Sequence, residues 1–133
     1  MAIAVKRDDR RRRVIAAAEG IVRVRDIVAL LSRERTRRSR PYALLLDLSA
    51  ATLSLAGPDL AALAALADSL QTRDGDRHPT ALVARRPGAY ALARMYARAG
   101  ERRRFRLVRV FRTRADAVSW LRRAAAMRQA PRL

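Results

Sequence analysis

Along the first eighteen residues apolar and polar positions alternate. Ile3 and Val5 stand between small or charged neighbours, Arg7-Asp8-Asp9-Arg10 interrupts them, and Arg13 to Ala18 is apolar again. Period-two alternation around a charged break predicts a β-hairpin, whose second strand is expected to end at Gly20. From there the period changes. Val24, Ile27, Val28 and Leu31 recur at i, i+3, i+4 and i+7, one face of a helix over about 23 to 37, with Arg23, Arg25, Arg33 and Arg37 on its other face. The stretch from Arg33 to Arg40 is too polar to pack, and Pro41 closes it.

Tyr42 to Leu48 is then an apolar run with Asp47 near its end, the pattern of a strand covered on both faces in a parallel sheet. A loop containing Ser49, Thr52 and Ser54 is expected to lead to Gly57-Pro58-Asp59, where Pro58 suits the first turn of a helix. Leu60, Leu63, Ala67 and Leu70 form the face of that helix, and Thr80 to Ala84 a second buried strand. Arg85-Arg86-Pro87-Gly88 is a strand-to-helix turn, followed by Ala89, Leu92, Ala93 and Tyr96 as an inward helical face. Phe105 to Phe111 is a strand that Arg106 and Arg109 assign to a sheet edge. Thr113-Arg114-Ala115-Asp116, a capping-box variant, opens a last helix with Ala117, Val118, Leu121 and Ala125 inward. The resulting order, β-β-α-β-α-β-α-β-α, predicts an α/β sandwich with a mixed, mostly parallel sheet of about five strands and about four helices. The initial hairpin supplies an antiparallel edge. One domain over 1–125 and a basic tail that frays over 126–133 complete the expectation.

Composition narrows the function. At 133 residues and 50% hydrophobic the chain suits one domain. It has no cysteine, hence no disulfide, thiolate nucleophile or sulfur-ligated metal. A single histidine, His78, in a polar loop, supplies no second imidazole for a metal and confines any histidine-based relay to one place. Neither a signal-peptide core nor an apolar run of 18 residues occurs, so a cytoplasmic protein is expected, and because no nucleophile, base or metal set assembles from these residues, a non-enzymatic one without a cofactor. Charge changes the picture most. The formal net charge is +18, from 30 Lys+Arg against 12 Asp+Glu, and every basic residue but Lys6 is arginine. Such an excess suits a polyanionic partner, although arginine and alanine in joint excess are also what GC-rich coding produces.

Three segments resemble one family. Leu44-Leu45-Leu46-Asp47-Leu48, Tyr90-Ala91-Leu92-Ala93-Arg94-Met95-Tyr96 and above all Val110-Phe111-Arg112-Thr113-Arg114-Ala115-Asp116-Ala117-Val118-Ser119-Trp120-Leu121 are similar to the bacterial STAS-like proteins. These are relatives of the anti-sigma-factor antagonist SpoIIAA, some of them grouped with lipid-binding CRAL-TRIO domains. The resemblance runs from the first strand to Leu121 and implies that fold. In phospho-regulated members a serine in an Asp-Ser-Ser-Gly motif opens the helix after the Asp-Leu-Ser strand end. With Asp47-Leu48-Ser49 on that strand end, Leu55-Ala56-Gly57-Pro58 falls on the motif, so the acceptor serine is missing and only Thr52 or Ser54 lies nearby.

Several residues are candidates for chemistry. Asp47 and Ser49 fall where ligands enter an open α/β sheet; alternatively the Asp47 carboxylate holds the amides of the following turn. Arg85, Arg86 and Gly88 at a helix start could bring guanidinia and backbone N–H groups to a phosphate or carboxylate, or the arginines could simply be solvated. Tyr90, Met95 and Tyr96 could line an apolar pocket or belong to the core, and Trp120 is expected to pack beside Phe111. Arg102-Arg103-Arg104-Phe105, with Arg10 to Arg13, is the nucleic-acid candidate, guanidinia on phosphates and Phe105 stacked on a base. The reading that follows is an interaction or regulatory domain whose partner is a protein, a small anionic or amphipathic ligand, or a second copy of the chain. A basic protein that binds nucleic acid nonspecifically is the alternative.

Overall fold

The structure is a computed structural model that describes residues 3–36, 42–72, 79–101 and 107–129. Nine elements follow in order: β1 (Ile3–Asp8), β2 (Arg13–Arg23), α1 (Val24–Thr36), β3 (Ala43–Ser54), α2 (Gly57–Thr72), β4 (Thr80–Val83), α3 (Pro87–Glu101), β5 (Val108–Phe111) and α4 (Arg114–Gln129). They form one sheet in the spatial order β1-β2-β3-β4-β5. β1 pairs with β2 antiparallel, and the three remaining pairings are parallel. The expected α/β class and element order are those of the structure.

Each strand neighbours the next in sequence, so crossovers of one hand bring α1, α2 and α3 to the same face of the sheet. Alternation along the strands sorts the side chains accordingly. Val14, Ala16, Leu44, Leu46 and Leu82 point to the three-helix face and pack with Ile27, Leu30, Leu31, Leu63, Ala67, Ala89 and Ala93. Leu45, Ala81 and Val83 point the other way and meet Ala117, Trp120 and Leu121 of α4. The Trp120 ring lies 5.7 Å from that of Phe111, as its spacing suggests. A strand buried on both faces needs apolar residues at consecutive positions, which is why 43–46 and 81–83 read as unbroken runs. Two helical faces are narrower than their periodicity suggests: Val28 and Ala125 are exposed.

Two strands run further than the sequence pattern suggests. Gly20 does not end β2; with φ +69° it takes a left-handed conformation that glycine adopts without strain, and the strand continues to Arg23. β3 likewise continues to Ser54, so Ser49, Thr52 and Ser54 lie on a strand rather than in a loop. Between them the register slips: Ala17 pairs with Asp47 but Glu19 with Ala50, a bulge that places one extra residue on β3. β4 pairs with β3 only as far as Asp47. Beyond that row β2 and β3 therefore project as a two-stranded ribbon. β5, shorter than the expected 105–111, is an edge strand, as Arg109 implies. Helix α4 reaches Gln129, past the residue at which fraying is expected. Pro41, Arg37 to Arg40, His78, and Arg102 to Arg106 with Phe105 lie outside the described residues.

The β1–β2 turn is held by its own side chains. Asp8 accepts from the Arg11 amide at 3.0 Å and from its guanidinium at 3.3 Å. The Tyr42 hydroxyl donates to Asp9 at 3.0 Å, and the Arg7 and Arg12 guanidinia lie over its ring at 5.0 and 5.9 Å.

Candidate functional site

Ala17, Asp47, Val83 and Phe111 form the last row in which β2 to β5 are all paired. Past this row β4 and β5 turn into α3 and α4, while the β2–β3 ribbon continues upward. The carboxyl ends of parallel strands, where loops and helix N-termini converge, are where open α/β sheets take ligands. Here that edge is basic. Arg85 and Arg86 follow β4, and Arg112 and Arg114 follow β5.

Asp47 organises the edge. Its Oδ1 accepts the Ser49 amide at 2.9 Å, a bond that satisfies a donor within the bulge. Its Oδ2 accepts from Arg114 Nε at 3.0 Å and Nη2 at 2.9 Å, which ties the start of α4 to the middle of the sheet. Burial opposes ionisation of this carboxyl, but the hydroxyl and amide of Ser49 and the Arg114 guanidinium outweigh it and hold the pKa below the ordinary value. Of the two readings open from sequence, the geometry displays the turn-holding one. Asp47 therefore carries a resident cation and a structural duty at once.

Arg86 reaches across to the ribbon, where its Nη1 donates to the Thr52 hydroxyl at 3.3 Å. Its carbonyl accepts from the Tyr90 amide at 2.8 Å, which closes the first turn of α3. Tyr90 is half-buried, with the Arg112 guanidinium 4.1 Å from its ring centroid and Arg94 at 6.0 Å. Arg85 is exposed. Gly88 is exposed too, and a Cβ there would meet nothing within 4 Å, so the turn does not depend on a missing side chain. Ser54 is exposed on the ribbon, opposite Arg23. The N-terminus of α4 is capped as its sequence suggests, the Asp116 amide donating to Thr113 Oγ1 at 3.2 Å. Asp47, Ser49, Thr52, Arg86 and Tyr90 are thus joined, directly or through one neighbour, to a single edge. Arg112 and Arg114 belong there as well, and sequence reasoning missed them as site residues. The signal was available: they immediately follow the last parallel strand.

Ala56 occupies the N-cap of α2. Its amide donates to Asp59 Oδ2 at 2.7 Å, half of a capping box whose other half, an N-cap hydroxyl, is absent.

An apolar cavity of about 50 Å³ lies between the sheet and the three-helix layer, lined by residues such as Leu46, Leu53, Leu60, Leu92 and Tyr96. A cavity that holds benzene measures roughly 150 Å³, so this one is too small for a lipid tail as it stands. Met95 is exposed, whereas Tyr96 contributes to the lining. No described helix is long and apolar enough to cross a membrane.

No protein-family model and no curated protein matches the sequence. Among solved structures, the chain is similar to an uncharacterised protein of the DUF3478 family with a SpoIIAA-like fold from Shewanella loihica PV-4. The two share 17% identity over 90% of this chain and 92% of that one, with a TM-score of 0.52. The antiparallel first hairpin, the parallel β2 to β5 and the lone α4 on the second face, together with that match, identify the architecture: the chain has a SpoIIAA-like fold.

Proposed function

We propose that the domain is a non-enzymatic, cytoplasmic recognition module that binds the anionic group of a small ligand or of a partner protein across the carboxyl edge of its sheet. One observation carries the reading. Arg85 and Arg86 follow β4 and Arg112 and Arg114 follow β5 at the carboxyl end of the sheet, and Asp47, the carboxylate bound to one of them among the described residues, is already engaged by Arg114. Guanidinium groups and helix N-termini favour the same ligand, an oxyanion of phosphate or carboxylate type. The apolar cavity supports an amphipathic ligand less well, because its volume accommodates only a small group. Without a hydroxyl at Ala56, regulation through the serine of the phospho-regulated relatives has no acceptor, so the proposed regulation works through occupancy of the edge.

Exchanging Arg85 and Arg86 together for Ala tests this. Both side chains are exposed, so the fold is retained, while the rise in melting temperature produced by inorganic phosphate or citrate is expected to shrink. A ligand about a hundredfold above its Kd stabilises by about 2.7 kcal/mol, well within reach of a melting assay. An unchanged shift in the double variant contradicts the site. The net charge of +18 favours a second reading, nonspecific nucleic-acid binding. That reading predicts affinity for DNA that collapses between about 50 and about 200 mM salt.

A further inference from the structure

The opposite end of the sheet holds an arginine in an unusual position. Arg10, Arg11 and Arg12 are exposed in the hairpin turn, but Arg13, the first residue of β2, is only 8% exposed. Val14 points to the three-helix face, so alternation directs Arg13 to the face covered by α4. There its Nε meets no hydrogen-bond partner among the described residues. The surrounding charges do not neutralise it. Burial is the largest influence on the group, and the guanidinia of Arg11 and of Arg122 on α4 repel it. Asp8 attracts it, but the Asp8 carboxylate is already held by the Arg11 amide and guanidinium. An arginine does not shed its proton to escape such a position. A buried charge facing like charges calls for an anion, and a guanidinium presents N–H donors in a fork that matches the oxygens of one.

We propose that the buried Arg13 anchors a second anion site at the amino end of the sheet, one that takes a small tetrahedral oxyanion of phosphate type. It is separate from the carboxyl edge. Arg13 pairs with Ala43, four rows from the Ala17–Asp47 pair, or about 13 Å along the strands. The site uses none of the residues assigned to that edge, so the two proposals stand or fall independently. It also gives a role to the basic turn that the carboxyl edge leaves unused.

The test is a set of melting curves at matched ionic strength. In chloride buffer, Arg13→Met is expected to melt higher than the wild type, because it keeps the apolar stem and removes the buried charge. In the Arg85→Ala/Arg86→Ala background, inorganic phosphate is expected still to raise the melting temperature, and adding Arg13→Met is expected to abolish that rise. Arg13→Lys, which keeps the charge but not the fork, guards against a folding failure of the Met variant and is expected to weaken the phosphate effect. A phosphate shift that survives both substitutions overturns the site, and so does the absence of any shift in the Arg85→Ala/Arg86→Ala background. Destabilisation by Arg13→Met in chloride overturns it as well, since it means that Arg13 is already satisfied. Stabilisation by a short oligonucleotide but not by inorganic phosphate assigns the turn to nucleic acid and overturns the small-anion proposal.

Discussion

Asp47→Asn separates the two roles of this residue. The Asp47 side chain is 15% exposed and that of Arg114 is 49% exposed, so the pair lies at the boundary of the sheet rather than within it. Asparagine keeps an oxygen for the Ser49 amide but removes the negative charge from the oxygen that accepts both Arg114 nitrogens. Hydrogen bonds to charged groups are worth about 1.5–3 kcal/mol against about 0.5–1.5 for neutral ones. With Arg114 half in solvent the difference is screened toward its lower end, giving a loss of about 1 kcal/mol. For a domain of this size that corresponds to a fall of about 4 °C in melting temperature. Because the folded Asp47 has a lowered pKa, the unfolded chain takes up its proton first as pH falls. The stabilisation is therefore complete above the ordinary pKa of 3.8 and vanishes as pH drops through the folded value. Urea unfolding of both proteins from about pH 7 to about pH 3 should show the gap narrow once the pH falls below 3.8. Calorimetric titration supplies the second readout: with Arg114 released and one resident anion gone, citrate should bind more tightly. A stability deficit that persists undiminished at the acid end would show that the loss comes from packing, and weaker citrate binding would remove the edge from Arg114's account.

Two further substitutions probe how the edge is supported. Trp120→Ala removes the largest side chain that α4 contributes to its face of the sheet, 8% exposed and stacked near Phe111, and should cost about 3–5 kcal/mol in urea unfolding; a loss below about 1 kcal/mol contradicts the packing. Ala56→Ser restores the missing half of the α2 capping box and should stabilise by about 1 kcal/mol. No gain in melting temperature would mean that Asp59 already caps the helix fully.

The architecture follows from features that sequence displays directly. Leu44-Leu45-Leu46 and Ala81-Leu82-Val83 are apolar at consecutive positions because both faces of their strands are covered, and Gly57-Pro58-Asp59 and Thr113 to Asp116 carry the chemistry of helix starts. Gly20 misleads because glycine signals a break and a left-handed kink equally, and only pairing with Ala51 shows which is present. The extension of β3 is hidden for a related reason: Ser49, Thr52 and Ser54 are polar since their ribbon has one open face, which gives them the composition of a loop. Arg112 and Arg114 were visible as positions but masked by the charge of the whole chain, among which no single arginine stands out. Arg13 lies beyond sequence reasoning altogether, because an arginine beside the exposed Arg10, Arg11 and Arg12 carries no sign in its composition that it is buried.

The central claim, that the carboxyl edge recognises an anion, is tested most directly by following backbone amide resonances during titration with citrate. The Gly88 and Ala89 amides at the start of α3 and the Arg114 and Ala115 amides at the start of α4, which both follow strands at the carboxyl edge, should move with the Kd that the melting assay reads. If those four amides stay fixed at citrate concentrations that raise the melting temperature, the anion binds elsewhere and the claim is contradicted.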